Sequence, residues 1–438
     1  MAEIEIIQTI RFLLEGKKNG TEPLEIIAEP RFDTYRPDLI IKAGKKNIAA
    51  IEIKTSNTLS KALTGFSADF YFLFKVRYFI YTDGDVFYFY DRFNNPKERI
   101  KNDASGFITR VCRQISQDSL RKLKSNIAQI FKQEIQKVSN QFPQLNGFIF
   151  ENLSKISREL RLASDYILFF EGGKIDTNSF EHQFFVKLLD NNVPETIYRY
   201  SPFNRAFQIV NDETVAMLGL QGMNDTTEPN YIDNYLNDTN YSPWELPQQS
   251  IAAINRRFIM SCTTLQDDLM QWRLYGEDAK GACIKFQPKV SLKTSLRFYL
   301  GKVKYANQYG EHPELRIIKN IIERSRQELC FDVKFILLYV WRHFFKPAEY
   351  SYEAEVRLLY IHRREERDKK WIIAEPYSIV NPIVIFHLNK NEFPLNVVEI
   401  MLGPKRAERK LNKSQLEQML REKGRSIIVT ESQRNVYR

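Results

Sequence analysis

The chain is poor in the residues that commonly hold zinc or run a nucleophile–base pair. Its 438 residues include only four cysteines and five histidines. Cys112, Cys262, Cys283 and Cys330 are scattered, with no C-x-x-C pair and no histidine at zinc-ligand spacing. They read as free thiols in a reducing compartment. The histidines stand singly, which argues against a histidine triad or a histidine metal cluster. No G-x-G-x-x-G occurs, so a Rossmann-type NAD site is not supported. No apolar run is long enough to span a bilayer. The longest candidate, residues 333–345, is interrupted by Lys334, Arg342 and His343 and reads as part of a buried helix. The opening MAEIE is acidic and lacks a signal-peptide n-region. A cytoplasmic protein without a membrane partner is expected.

What is present points to a soluble globular chain of two or three domains, with 43% hydrophobic and 27% charged residues. Aromatics reach 13%, so the cores are rich in rings. The formal charge of +10 favours a polyanionic partner such as DNA or RNA over a basic one.

The chain is organised around Arg36–Thr55, RPDLIIKAGKKNIAAIEIKT. Two apolar runs, 39–41 and 48–53, flank a turn at Gly44-Lys45-Lys46 and read as a strand pair. Asp38 opens the first run; Glu52 and Lys54 close the second and, two apart, share a strand face. A carboxylate and an ammonium in an apolar strand are costly unless something compensates. A divalent metal is one compensation: Asp38 and Glu52 offer oxygen ligands for Mg²⁺, and Lys54 can steady the attacking water or the transition-state charge. The plain alternative is a hairpin whose charges face water.

These residues stand in the pattern of the PD-(D/E)xK nuclease superfamily. With residues 76–90, VRYFIYTDGDVFYFY, read as a hairpin turning at Asp83-Gly84, the stretch 1–100 resembles the N-terminal nuclease domain of type I restriction-enzyme R subunits. The resemblance implies an α/β fold, Mg²⁺ and nucleic acid. It also implies an acidic residue from the opening helix (3–15) near the metal, with Glu15 or Glu5 as candidates. Many relatives carry a Gln and a Tyr on the next helix; here residues 59–74 would be that helix, with Tyr71 but no Gln.

Residues 104–185 read as mostly helical, through segments 116–138, 148–162, 163–170 and 179–189, and as a spacer between domains. A third unit begins near Pro194. Its expected elements are a strand 195–201, a helix 204–217, a long polar loop 226–250, strands 257–264, 281–286, 352–361, 383–388 and 397–402, one or two helices over 313–345, a helix 412–423 and a last strand 426–430. Without a βαβ cadence this suggests α+β.

A second candidate site draws on Arg199 between two tyrosines, Ser261 at a strand end, and Glu353 and Glu355 in YEAEVR. Arg199 offers a fork for a phosphate, and the carboxylates offer a ribose contact and charge stabilisation. The plain alternative is an exposed edge strand with both glutamates in water and Glu355 paired with Arg357. The blocks IYRYSPFN, FIMSCTTLQDDLMQWRLYGEDAKGACIKF, YEAEVRLLY and VVEIMLGPK resemble a widespread bacterial domain of poorly characterised function, which looks like a distant relative of ADP-ribosyltransferases. That resemblance implies NAD held by Arg199 and Ser261, Glu355 as the catalytic glutamate and Glu353 on the acceptor side. It also implies Tyr200 or Trp272 stacked on the nicotinamide, although Trp272 equally suits a core.

The expected organisation is therefore a restriction-endonuclease-like α/β domain (1–103), a helical spacer (104–190) and an ADP-ribosyltransferase-like α+β domain (191–438). The expected function is a bacterial defence or toxin effector that acts on nucleic acid and transfers ADP-ribose from NAD. The alternatives are a Mg²⁺-dependent endonuclease whose C-terminal domain senses a nucleotide or other ligand, and a non-catalytic nucleic-acid-binding protein. A regulatory partner or a homo-oligomer is compatible with each.

Overall fold

The apolar runs of the motif region do become strands, and the helices around them cover both faces of their sheet. The structure is a computed structural model. It describes the chain except residues 1–2, 31–34, 94–95, 163–166, 171–176, 190–193, 221–230, 238–255, 290–296, 363–368, 375–378, 391 and 435–438. The expected three consecutive domains give way to two compact units built from interleaved stretches. Unit 1 comprises residues 1–174, 178–184 and 316–336; unit 2 comprises 175–177, 185–315 and 337–438.

In unit 1, helix α1 (Glu3–Leu14) buries Ile6, Ile10 and Leu14 at helical spacing. Seven strands follow in simple spatial order: β1 (Lys18–Asn19), β2 (Glu22–Ala28), β3 (Leu39–Ala43), β4 (Lys46–Ile53), β5 (Tyr78–Thr82), β6 (Phe87–Asp91) and β7 (Arg99–Asn102). The β3–β4 turn uses Gly44 at φ 56°, a conformation that costs glycine nothing. All neighbours are antiparallel except β4 and β5, which are parallel. A parallel pair needs a crossover, supplied here by α2 (Ser56–Thr64) and α3 (Asp69–Phe74). The single helix expected over 59–74 is therefore two, parted at Gly65, which caps the first.

One face of this sheet packs Ile51, Ile53, Ile80 and Phe89 with α1 and with α4 (Ala104–Cys112). The other packs Ala50, Phe79 and Tyr81 with Leu59, Leu63, Tyr71 and Phe74 of α2 and α3. Cover on both faces explains why β4 reads as a continuous apolar run rather than an alternation.

The helices expected as a spacer, α5 (Gln117–Lys137) and α6 (Pro143–Glu159), fall inside unit 1. Buried Glu134 of α5 binds Arg324 at 2.7 Å and Asn320 at 3.1 Å on the helix Pro313–Leu329. The helix expected over 163–170 is not found in its described part. Ile167–Phe170 is a strand, β9, paired with β8 (Leu160–Leu162). A four-residue run of Ile, Leu and Phe carries no period that separates a buried strand from a helix. Residues 313–345 likewise hold more than helix, since strand Asp332–Lys334 joins β9 in parallel.

Unit 2 is built on a ten-stranded sheet. Its strands are β10 (Ile197–Ser201), β11 (Thr214–Gly219), β12 (Arg257–Thr263), β13 (Ala282–Pro288), β14 (Phe298–Lys302), and the later strands Glu355–Ile361, Lys370–Ala374, Ile379–His387, Leu395–Leu402 and Ile428–Glu431. The helix expected over 204–217 stops early. Helix Phe203–Asn211 gives way to β11 past Glu213, which sits at φ 54°. Of the long loop expected at 226–250, residues 231–237 are a short helix and the rest lies outside the described residues.

Strand β12 carries the Glu355–Ile361 strand along one whole edge. Its other edge is shared. β11 pairs it at Phe258 and Ile259, and β10 pairs it at Thr263. The sheet therefore forks between Met260 and Cys262. One face of this sheet holds the large core of Ile197, Met260, Cys262, Ile284 and Ile400. The other holds a smaller core of Tyr198, Tyr200, Trp272, Cys283 and Met401.

Candidate functional sites

Unit 1 brings its three motif side chains together. Asp38 precedes β3, and its Oδ2 accepts a hydrogen bond from the Ile53 amide at 2.5 Å, which ties it to the end of β4. Glu52 shares a face with Ala50, the α2–α3 face, and is 4% exposed. Lys54 follows β4, and its ammonium meets Glu52 Oε2 at 2.6 Å. Glu52 Oε1, by contrast, is buried and has no hydrogen-bond partner among the described residues. A buried carboxylate oxygen without a partner is expensive.

The electrostatics agree with the geometry. Burial pushes the Glu52 carboxyl above its usual range, the Lys54 hydrogen bond opposes this, and repulsion from Asp38 adds to it. Burial acts to lower the Lys54 ammonium, but the Glu52 hydrogen bond and the Glu52 and Asp38 charges outweigh it and raise the net value. Lys54 is thus held as a cation. From α1 the Glu3 carboxylate, in the first turn of the helix, acts on Glu52 and raises it; Glu15 lies beyond the helix end. Tyr71 is buried in the core, with its hydroxyl donated to the Pro96 carbonyl, so it stands outside the site.

The donor set suits Mg²⁺. Two hard carboxylates lie side by side, one with an oxygen left over. Among the described residues no group of three or more His, Cys, Asp or Glu forms a metal cage. Mg²⁺ is ordinarily bound by one or two carboxylates, with water and substrate phosphate filling its remaining positions.

Unit 2 does not assemble the constellation expected from sequence. Tyr198 is paired with Thr263, and Thr263 with Glu355, so these share the face of the smaller core. Arg199 alternates to the opposite face, beside Ile284. Its guanidinium donates to the Ser261 carbonyl at 3.2 Å, at the fork where β12 changes neighbours. Ser261 is exposed in the interior of β12 rather than at its end. Tyr200 and Trp272 are core residues with rings edge-to-face at 4.8 Å. The Tyr200 hydroxyl donates to the Leu265 carbonyl and accepts from the Asp268 amide, and the Trp272 indole donates to Asp267. Neither ring is free to stack on a ligand.

Glu353 and Glu355 do not share a strand. Residues 348–353 form a 3-10 turn, Ala354 sits at φ 44°, and the strand begins at Glu355. The left-handed residue breaks the alternation, yet both carboxylates converge on Lys346, with Nζ at 2.7 Å from Glu353 and 2.8 Å from Glu355. Glu355 also accepts two bonds from Arg357, each 2.9 Å long. Burial alone would raise the Glu355 carboxyl, but Arg357 and Lys346 hold it down to about 2. Tyr275 donates to Glu353 at 2.6 Å, and the Glu355 amide donates to Tyr305 at 2.8 Å. Tyr305 and Lys346 are register partners on two short parallel strands, Lys304–Tyr305 and Phe345–Lys346. The Glu355–Arg357 pairing of the plainer sequence reading is therefore present, but in the interior rather than in water. Lys346, Tyr275 and Tyr305 were missed; the visible signal was a lysine inside the apolar run HFFKP.

Among the described residues no helix is long and apolar enough to cross a membrane. Residues 271–358 match the model of a family described as "Protein of unknown function (DUF2971)". That stretch contains Tyr275, Tyr305, Lys346, Glu353, Glu355 and Arg357, the whole of the buried ion cluster. No curated protein matches the chain, and no solved structure does.

Proposed function

We propose that unit 1 is a Mg²⁺-dependent nuclease of the restriction-endonuclease-like kind, acting in a defence or toxin effector. The observation that carries this is the meeting of Asp38, Glu52 and Lys54, with a buried Glu52 oxygen that has no partner among the described residues. The order of elements also supports the reading. A helix leads into four antiparallel strands, and a helical crossover returns to a strand parallel to the fourth. The net charge of +10 suits a polyanionic substrate.

Asp38 and Glu52 would hold the metal through oxygen. Bound Mg²⁺ supplies Lewis-acid polarisation of the phosphodiester and a water of lowered pKa. Asp38 is kept in place by the Ile53 amide, so one ligand is pre-oriented before metal arrives. Lys54, held protonated and half-exposed, offers positive charge to the phosphate as negative charge builds on its oxygens. Its pairing with Glu52 keeps it aimed at the site when no substrate is present.

ADP-ribosyl transfer by unit 2 draws no such support. Arg199 lies across the sheet from Glu355, and the Glu355 carboxylate is spent on Arg357 and Lys346. NAD as a cofactor therefore has no assembled set of groups to receive it among the described residues.

The test is incubation of purified protein with labelled NAD and a mixed pool of DNA, RNA and protein, with and without Mg²⁺. Cleavage of nucleic acid that needs Mg²⁺ and falls by at least about a hundredfold in Glu52→Ala is expected, with NAD intact. Label transferred from NAD to a polymer, with that transfer lost in Glu355→Ala, would move the chemistry to unit 2.

A further inference from the structure

The motif triad has an aromatic neighbour, Tyr35, whose hydroxyl has no hydrogen-bond partner among the described residues. Tyr35 lies three residues before Asp38, as a single bridge residue ahead of β3. Its ring packs on Phe70 and Phe74 of α3, with centroids 5.1 and 5.6 Å away. This places it against the aromatic core on the α2–α3 face, the face toward which Glu52 projects. The charges of Glu52, Lys54 and Asp38 all act on its phenol. Two other phenols of this face are spent on carbonyls: Tyr71 donates to Pro96, and Tyr90 donates to Leu63. The Tyr35 hydroxyl has no such partner among the described residues. Tyr35 is also only partly buried, so a ligand can reach it.

We propose that Tyr35 contacts the substrate, its hydroxyl donating to a phosphate oxygen of the nucleic-acid strand seated at Asp38, Glu52 and Lys54. The proposal rests on the nuclease reading of unit 1. The two phenylalanines fix the ring, so the donor is positioned before binding and little rotamer freedom is lost on contact. A phosphate is the group a donor at this place meets. Nucleic-acid strands present phosphate oxygens at regular intervals, and phosphates and sugars together take at least half of protein–DNA hydrogen bonds. Burial, then the Glu52 charge, raise the phenol's pKa, so the hydroxyl keeps its proton through the working pH range. A contact of this sort is present in ground state and transition state alike, and its loss falls on KM rather than kcat.

The experiment compares wild type, Tyr35→Phe and Glu52→Gln in Mg²⁺-dependent cleavage of defined oligonucleotides. Tyr35→Phe keeps the ring packing, which its thermal midpoint checks. The expected result is a KM raised about tenfold with kcat within about twofold, while Glu52→Gln is inactive. A KM unchanged in Tyr35→Phe, in a preparation where wild type cuts and Glu52→Gln does not, overturns the Tyr35 contact alone. Absence of Mg²⁺-dependent cutting by wild type overturns the nuclease reading and the contact with it. A second measurement scans single methylphosphonates along the oligonucleotide. One position is expected where neutralising the phosphate raises the wild-type KM and leaves that of Tyr35→Phe unchanged. A scan without such a position also overturns the contact, including where Tyr35→Phe proves less stable than wild type.

Discussion

Glu355 and Glu52 are both buried glutamates two residues from a cation, and their surroundings treat them in opposite ways. Glu355 takes two bonds from Arg357 and one from Lys346, and its carboxyl is held down to about 2. Glu52 takes one bond from Lys54, keeps an oxygen without a partner among the described residues, and its carboxyl is raised. The first pattern is that of a structural ion pair, and the second leaves a carboxylate incompletely answered, as the proposed metal site would need. Sequence placed both in short acidic–basic motifs and could not separate them, because spacing does not reveal which carboxylate is answered. For Glu355 the sign of the pH effect is clear. Its folded pKa lies below its unfolded value, so its contribution is complete above about pH 4.5 and is lost as pH falls toward 2. Glu355→Ala should cost about 3–5 kcal/mol at pH 7, since it removes one partner of a buried ion pair and the two bonds that Arg357 gives to it. Glu355→Ala should also flatten the acid limb of stability. Urea titrations of both proteins from pH 7 to pH 3 would check this, and a variant as stable as wild type at pH 7 would contradict it.

Elements were legible where a turn residue or a strict period marked them. Gly44 and Asp83-Gly84 located two strand pairs of unit 1, and Ile6, Ile10 and Leu14 fall on the buried face of the opening helix. Short aromatic runs were not legible, and Ile167–Phe170 proved to be a strand. Nor were single left-handed residues visible in advance, and Glu213 and Ala354 each end an element that the residue pattern alone would continue. The fork of β12 was beyond reach of a one-dimensional pattern, because it depends on which strands diverge. The fork gives Arg199 a structural role, since its guanidinium serves the Ser261 carbonyl where neither β10 nor β11 has a register partner for it. Arg199→Ala should therefore destabilise unit 2 by about 1–3 kcal/mol. The same change should leave Mg²⁺-dependent cleavage by unit 1 within about twofold of wild type at a temperature where both proteins are folded. Loss of NAD turnover with no loss of stability would instead restore Arg199 as a ligand-binding residue.

At the scale of the whole molecule, the sequence reads as three consecutive domains, whereas the structure has two units that exchange chain. The reason lies in residues 316–336, which belong to unit 1 although more than a hundred residues of unit 2 precede them. Their contacts are those of a core. Arg324 binds buried Glu134, the Cys330 carbonyl accepts from Arg92, and Phe335 packs with Phe131 and Phe170. Such contacts carry no sequence period and no motif, so composition and spacing could not announce them. A fragment ending at residue 190 should consequently be far less stable than unit 1 in the full chain, with a thermal midpoint lower by at least about 10 °C or no cooperative transition at all. Circular dichroism melts of the fragment and of the full chain test this. A fragment as stable as the full chain would show that residues 316–336 contribute little.

The same interleaving has a consequence for the protein at birth. The ribosome completes Asp38, Glu52 and Lys54 early, but the helix and strand that close their unit emerge only after residues 185–315 have been made. At ordinary translation speeds that interval is on the order of ten seconds. During it the nascent chain carries the motif residues without the packing that fixes their unit. If unit 1 cuts nucleic acid as proposed, that activity would thus be withheld from the growing polypeptide by the order of synthesis itself.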